Sequence, residues 1–281
     1  MSGNSIDNLT GDLENCYISD HEKNKQIIKK IFDENVKEVQ IDITDSTKGH
    51  NGKEGSWLEE QMGIKLNAAN EPDILGFEMK KTSQKISFGD WCASEYLWDK
   101  NSLRNFDSIK TKDDFIKVFG TPKPAKYNRY SWSGTCCPKK YNEWTTSGQI
   151  LYARRNGDIV IYYSYYRDKR KDKEEIIPED IRNLFKNEDD IITIVIWRKE
   201  KLKKHIENKF NQLGFFLCHH DKKRNCFTHI SFGKPFDFDF FLEEFKKGNI
   251  FFDSGMTYGK SRKYSTWRAK ADFWKNMITD I

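Results

Sequence analysis

A chain of 281 residues can bury a sizeable core and fits one large domain or two lobes rather than a string of small modules. With 48 Lys and Arg against 43 Asp and Glu, the net charge of +5 permits a nucleic-acid partner without requiring one, because clustering of cations governs such binding more than their sum. The 14% aromatic content argues against a disordered chain. No apolar run reaches the length of a membrane span, and six cysteines without an apolar leader lead us to expect free thiols in a reducing bacterial cytoplasm.

Residues 1–15 read as a loose tail. Ser19 and Glu22 stand at capping-box spacing, and Ile28, Ile31, Phe32, Val36 and Val39 recur at helical intervals, which predicts a helix over 21–36. Residues 44–55 are rich in turn formers and read as a flexible loop. A short helix is expected over 56–62, stopped by Gly63. A loop at 67–72 leads to a strand over 73–80, with 86–88 as its hairpin partner. Thr111 caps a helix to Phe119, with Asp113 and Asp114 in the first turn and Gly120 after the end.

Residues 121–148 have no apolar period. Lys123, Lys126, Arg129, Lys139 and Lys140 alternate there with Tyr127, Tyr130, Trp132, Tyr141 and Trp144. Long irregular segments in compact domains are usually functional. One reading is a DNA-facing loop whose cations neutralise phosphates; the other is a loop docked on the core through Trp132 and Trp144. Strands follow over 159–166 and 191–197, the first running into a basic stretch that includes Arg170. Pro178 opens a short helix to Phe185. A helix with a strongly basic exposed side spans 199–213, and 215–218 with 227–232 suggest a hairpin. A helix over 238–247, a short strand over 250–252, an irregular basic stretch over 253–268 and a last helix to about Met277 complete the chain.

Three acidic positions, Glu59, Asp73 and Glu78, converge on Lys80 in this pattern. Carboxylates are the ligands a hard cation prefers, and Lys80, two residues after Glu78 on a strand, shares its face of the sheet. A metal held by carboxylates beside a lysine is machinery for phosphodiester hydrolysis. Taken alone, Asp73 followed by Glu78-x-Lys80 also fits a strand with a solvated polar face. Glu59 also fits a helix cap, since Ser56 stands three residues before it. A rival chemistry is zinc at Cys218, His220, Cys226 and His229, although neither pair has the tight C-x-x-C form.

Upstream, Gly52, Gly55, Leu58 and Glu59 spell G-x-x-G-x-x-L-E, with Glu59 fourteen positions before Asp73; Gly76-Phe-Glu78-Met-Lys80 completes the pattern. With these elements the chain resembles the MutH, MvaI and BcnI group of endonucleases, within the PD-(D/E)XK nuclease class. The resemblance is strongest over 52–81 and extends more weakly through 127–149, 158–170 and 253–268. It implies that Asp73, Glu78 and the Met79 carbonyl hold one or two Mg²⁺ ions. Lys80 would orient or help deprotonate the attacking water, and Glu59 would hold Lys80 or a second metal. It also implies a sequence-reading element near the C-terminus, where Arg262 is the better base reader and Arg268 meets phosphate or a core acid. Lys81, Lys126, Arg129, Lys139, Lys140, Arg170 and Lys260 complete the expected DNA contacts.

The expected architecture is α/β, with a central mixed sheet flanked by helices and two lobes around a DNA cleft: residues 1–200 catalytic, 201–281 for recognition. The expected function is Type II restriction, with hydrolysis of double-stranded DNA leaving a 5′-phosphate. The monomer would nick one strand and then the other, beside a cognate DNA methyltransferase. The alternatives are a MutH-like mismatch-repair nickase and a non-catalytic DNA-binding protein.

Overall fold

The alternation of side chains around Glu78 sets the architecture. Phe77 and Met79 are apolar and Glu78 and Lys80 are not, so a strand through them puts an oily face on one side and a charged face on the other. The computed structural model describes residues 19–44, 52–64, 70–99 and 106–280. The tail expected at 1–15, most of the loop expected at 44–55 and part of the loop at 67–72 lie outside the described residues.

Helix α1 (Asp20–Asn35) starts where the sequence places it, with Ser19 Oγ accepting from the Glu22 amide. Helix α2 (Lys53–Gln61) begins three residues earlier than expected, with Gly52 as its N-cap. Strands β1 (Glu78–Lys81), β2 (Lys85–Asp90) and β3 (Glu95–Tyr96) follow. Helix α3 (Lys112–Phe119) carries the Thr111 capping box, with Asp114 answering the cap. The irregular segment resolves in part into β4 (Thr121–Lys123) and β5 (Arg129–Ser133), before β6 (Ser147–Ala153) and β7 (Ile159–Asp168). Two single turns, α4 (Lys173–Ile176) and α5 (Glu179–Arg182), lead to β8 (Ile192–Trp197) and α6 (Lys199–Phe210). The hairpin of β9 (Phe215–Asp221) and β10 (Cys226–Gly233) forms as predicted. Then come α7 (Phe238–Lys246), β11 (Ile250–Thr257), β12 (Ser265–Lys270), α8 (Ala271–Lys275) and β13 (Ile278–Asp280).

Among the described residues these strands form three sheets, ordered β1-β9-β10-β13, β2-β12-β11-β5-β4 and β3-β8-β7-β6. The first is mixed: β1 runs parallel to β9, with Glu78 opposite Phe215 and Lys80 opposite Leu217, while β9 and β10 are antiparallel. The fold class is therefore α/β as expected. Residues 86–88 do not pair with β1, however; β2 joins β12 in the second sheet. A parallel partner needs a long crossover, and everything between β1 and β9 supplies it. The first sheet thus draws β1 from one side of residue 200 and its other strands from the other, so a linear division there does not follow the sheets.

The first sheet has a different core on each face. Ile28, Phe32, Leu58 and Met62 of α1 and α2 pack with Phe77, Met79, Phe216 and Phe232 on one face. Phe215 and Leu217 join the larger core on the other, where the Phe215 and Trp274 rings meet at 4.9 Å. Phe88 of β2 sits amid Phe210, Phe236, Phe241, Phe273 and Trp274, with ring centroids 4.7–6.0 Å away. That cluster fixes the C-terminal end of α6 over the charged face of β1.

Gly214, at the entry to β9, has φ +95°, and its carbonyl accepts from the Glu78 amide at 3.1 Å. A Cβ there would lie 2.3 Å from the Gly233 carbonyl oxygen. Gly214→Ala is expected to lower stability by about 2 kcal/mol or more in denaturant unfolding, since strained φ and a backbone clash combine. An unchanged midpoint would show that this junction is not constrained.

Candidate active site

Four residues separate Asp73 from Glu78, and a tight reversal brings their carboxylates together. Ile74 and Phe77 exchange backbone hydrogen bonds at 3.1 and 2.9 Å, with Leu75 at φ +49° and Gly76 at φ +82° between them. Two successive positive φ values define a type I′ turn, which suits glycine and costs leucine about 1 kcal/mol. The turn folds Asp73 back alongside β1, where its Oδ2 accepts the Met79 amide at 2.9 Å. The Glu78 and Thr82 amides bond toward β9 instead. A strand residue directs its N–H and C=O to the same edge, so the Met79 carbonyl points to the open edge where Asp73 stands.

Glu78 is 1% exposed. Burying a lone carboxylate is costly, and counter-charges make it tolerable. Lys80 Nζ donates to Glu78 Oε1, and Lys209 Nζ of α6 lies 2.7 Å from the same oxygen. Burial still pushes the Glu78 carboxyl above the usual glutamate range, against the pull of Lys80 and Lys209. The Lys80 ammonium is itself desolvated, which alone would lower its pKa. Glu78, Asp73 and Glu59 more than offset that and raise it, which favours the charged ammonium.

Ser56 lies inside α2, whose N-cap is Gly52, so Glu59 is not part of a capping box. Glu59 stands at half-burial, and burial and the charge of Asp73 raise its pKa while Lys80 and Lys209 oppose the rise. The structure therefore gathers Glu59, Asp73, Glu78 and Lys80 into one electrostatic unit.

Lys209 was invisible to the sequence pattern. It flanks the buried stripe of Leu202, Ile206 and Phe210, and nothing in that spacing separates it from the other lysines of a basic helix. A second unforeseen residue is Asn70, whose Nδ2 donates to the His205 carbonyl at 2.8 Å while its Oδ1 accepts from Trp91 Nε1 at 3.0 Å. The Trp91 ring stacks on His205 at 5.5 Å. These contacts tie the approach to Asp73 onto α6, the helix that carries Lys209.

The expected DNA contacts are dispersed. Lys81, on the opposite face of β1 from Lys80, pairs with Glu54 of α2. Lys126 and Lys260 are exposed and form no ion pair among the described residues. Lys126 lies at a hairpin tip beside the fully exposed Tyr127, and Arg129 begins the return strand. Lys139 is 4.0 Å from Asp253, and Lys140 is 3.3 Å from Glu143. Arg262 forks onto Asp90 at 3.0 and 2.5 Å on the surface. Arg268 lies within β12, not at a helix start, and meets Asp253 at 3.0 Å. Arg170 is committed inside the fold: its guanidinium grips buried Asp168 and donates to the Val118 carbonyl at 2.9 Å. With most of its donors engaged this way and its side chain 10% exposed, Arg170 is turned into the fold rather than toward solvent. In the 121–148 segment, Trp132 is buried and bonds Gln149 Oε1 at 2.7 Å, whereas Trp144 remains part-exposed under Arg167.

The proposed zinc residues do not converge. Cys218 pairs in register with Ile230 and Cys226 with Asp221, at different levels of the hairpin. His220 faces Glu54 at 3.6 Å, while His229 stacks on His219 at 4.0 Å.

Oxygen ligands for a hard cation are at hand. Among the described residues no three His, Cys, Asp or Glu side chains form a ready cage. Mg²⁺ does not need one, since it keeps several waters and takes one or two carboxylates plus substrate phosphates. Among the described residues Glu78 Oε2 is buried without a hydrogen-bond partner, an orphan acceptor beside the edge to which Asp73 and the Met79 carbonyl are directed. That donor set fits a divalent cation.

A family model described as LlaMI restriction endonuclease matches residues 36–281. The Type II restriction enzyme ScrFI of Lactococcus lactis subsp. cremoris is 40% identical over 273 residues, an alignment covering 92% of this chain and 98% of that one. Among solved structures, the complex of restriction endonuclease MvaI with its cognate DNA substrate superposes with a TM-score of 0.55. That match covers 93% of this chain and 97% of the other at 10% identity, a likeness of fold.

Glu59 offers a pH test of the site's electrostatics. A carboxyl whose folded pKa is raised binds its proton more tightly in the native state, so it lowers stability as pH rises through and above the glutamate range. Glu59→Gln is expected to be more stable than the parent at neutral pH. The gain should shrink to nothing as pH falls below the ordinary glutamate value of about 4.3. A variant less stable at neutral pH, measured by thermal unfolding across pH, would contradict this.

Proposed function

Because the chain belongs to the LlaMI restriction endonuclease family, we propose that the Glu78 centre hydrolyses phosphodiester bonds of double-stranded DNA with Mg²⁺ as cofactor, leaving a 5′-phosphate. The protein is a Type II restriction endonuclease, which sets aside the non-catalytic and mismatch-nickase alternatives. The observation that carries the chemistry is the meeting of Asp73, Glu78 and Lys80 at one end of β1.

Asp73, Glu78 and the Met79 carbonyl would hold the cation, which when bound supplies a water of lowered pKa and offsets charge on the phosphate. Lys80 would orient or help deprotonate the attacking water and steady the phosphoryl oxygen on which charge develops. Glu59 holds Lys80 in place through its charge. Burial of Glu78 and Lys80 lowers the local dielectric and strengthens each of these interactions.

Specific DNA binding is the proposed work of Lys126, Arg129, Lys139, Lys140, Lys260, Arg262 and Arg268, with Lys81 beside the catalytic strand. Several are paired with acids, so DNA must exchange those partners for phosphate or base edges. Arg262 is the favoured base reader, because its exposed guanidinium directs Nε and Nη2 together at one oxygen, Asp90 Oδ2, a partner that a base edge could replace. One catalytic constellation per chain favours a monomer that cuts the two strands in turn. A cognate methyltransferase is the expected genetic partner. Among the described residues no helix is long and apolar enough to cross a membrane.

Plasmid cleavage under Mg²⁺ tests the assignment. Asp73→Asn and Lys80→Ala should each slow cleavage by about 10²-fold or more. Asp73→Asn should bind DNA at least as tightly as the parent, since one repulsive charge is removed. Binding should weaken steeply as salt rises. Cleavage by either variant at the parental rate would sink the site, and a flat salt dependence would sink the phosphate-dominated interface.

A further inference from the structure

Among the described residues, Lys209 is a cation paired with Glu78 that the D-E-x-K pattern does not contain. Its Nζ lies 2.7 Å from Glu78 Oε1, the oxygen that also receives Lys80. The two lysines are held differently. Lys80 rises from β1 with Glu78, Asp73 and Glu59 around it and the Phe210 ring 5.7 Å from its nitrogen. Lys209 reaches in from the last turn of α6 on a flexible four-carbon stem, and Glu78 is its only ion-pair partner among the described residues. The helix beneath it is fixed: Phe210 is locked in the aromatic cluster around Phe88, and Asn70 holds the His205 carbonyl. The backbone of α6 is anchored by these contacts, whereas the Lys209 side chain, 16% exposed, is held at the site by the Glu78 ion pair alone among the described residues.

Two ammonium groups bear on Glu78 Oε1, with Asp73 and Glu59 as the other carboxylates of the site. A divalent cation on the Glu78 carboxylate would add a third positive group at contact distance, a repulsion that departure of one ammonium relieves. Lys80 cannot leave without abandoning three carboxylates. We propose that Lys209 is an exchangeable counterion of Glu78. It neutralises the buried carboxylate before metal binds, yields it when a divalent cation arrives, and moves to the scissile phosphate as a further catalytic cation. This rests on the metal-dependent reading above and adds to it a residue outside the motif.

The test uses Mn²⁺ alone, titrated into the DNA-free full chain and followed by loss of the free-ion EPR signal. The parent is compared with Lys209→Met, Lys209→Gln, Lys209→Arg and Asp73→Asn; the Gln variant keeps a donor should the Met variant fold poorly. Removing the competing charge should tighten Mn²⁺ binding by about tenfold in the Met and Gln variants, while Arg should stay near the parent. At saturating Mg²⁺, kcat should fall by about tenfold or more in the neutral variants with KM little changed, and Arg should recover part of it. A Lys209 that only supports the fold would alter stability and leave metal affinity where it was. Equal or weaker Mn²⁺ binding in the neutral variants, with parental binding still dependent on Asp73, overturns the exchange. An unchanged kcat in those variants overturns the move to phosphate. If the parent shows no Asp73-dependent Mn²⁺ binding, the metal-dependent reading itself falls, and this role with it.

Discussion

A carboxylate that is 1% exposed must be neutralised where it lies, and the surroundings of Glu78 are arranged around that requirement. Lys80 and Lys209 converge on its Oε1 from a strand and a helix far apart in the chain, while Oε2 has no hydrogen-bond partner among the described residues. The arrangement compensates charge on one oxygen and leaves the other ready for a ligand. Its strength comes from exclusion of water, which amplifies attraction between the groups present and equally penalises any mismatch.

The fold supplies that dry environment through β1. Its parallel pairing with β9 puts Phe77 and Met79 against α1 and α2, and puts Glu78 and Lys80 beneath α6. The type I′ turn at Leu75 and Gly76 returns Asp73 to the open edge of the same strand. Asn70, Trp91 and the Phe88 cluster then fasten α6 to the loop and to the second sheet. A site assembled from residues 59 to 209 therefore depends on packing between sheets, and its precision is set by rigid elements rather than by loops.

Much of this was legible in the sequence because it is local. The Thr111 capping box, the helix after Ser19 and the hairpin at 215–232 follow from side-chain spacing alone, and so does the shared face of Glu78 and Lys80. Pairing was not legible. The choice of β9 over β2 as partner for β1 is made by tertiary contacts that periodicity does not encode. The same limit hid Lys209, one lysine among several on a basic helix, and it hid the inward commitment of Arg170 to Asp168. Glu59 shows the converse: locally it matched a helix cap, and only the capping of α2 by Gly52 places it in the helix's last turn, where it faces the lysines.

The proposed divalent-cation site lies at the open edge of β1, bounded by Asp73, Glu78 and the Met79 carbonyl. Anomalous X-ray scattering from crystals grown with Mn²⁺ locates the ion. An anomalous peak is expected within coordinating distance of all three groups, with Lys80 still beside Glu78. Full Mn²⁺ loading with the peak elsewhere, or no peak at this edge, would contradict it.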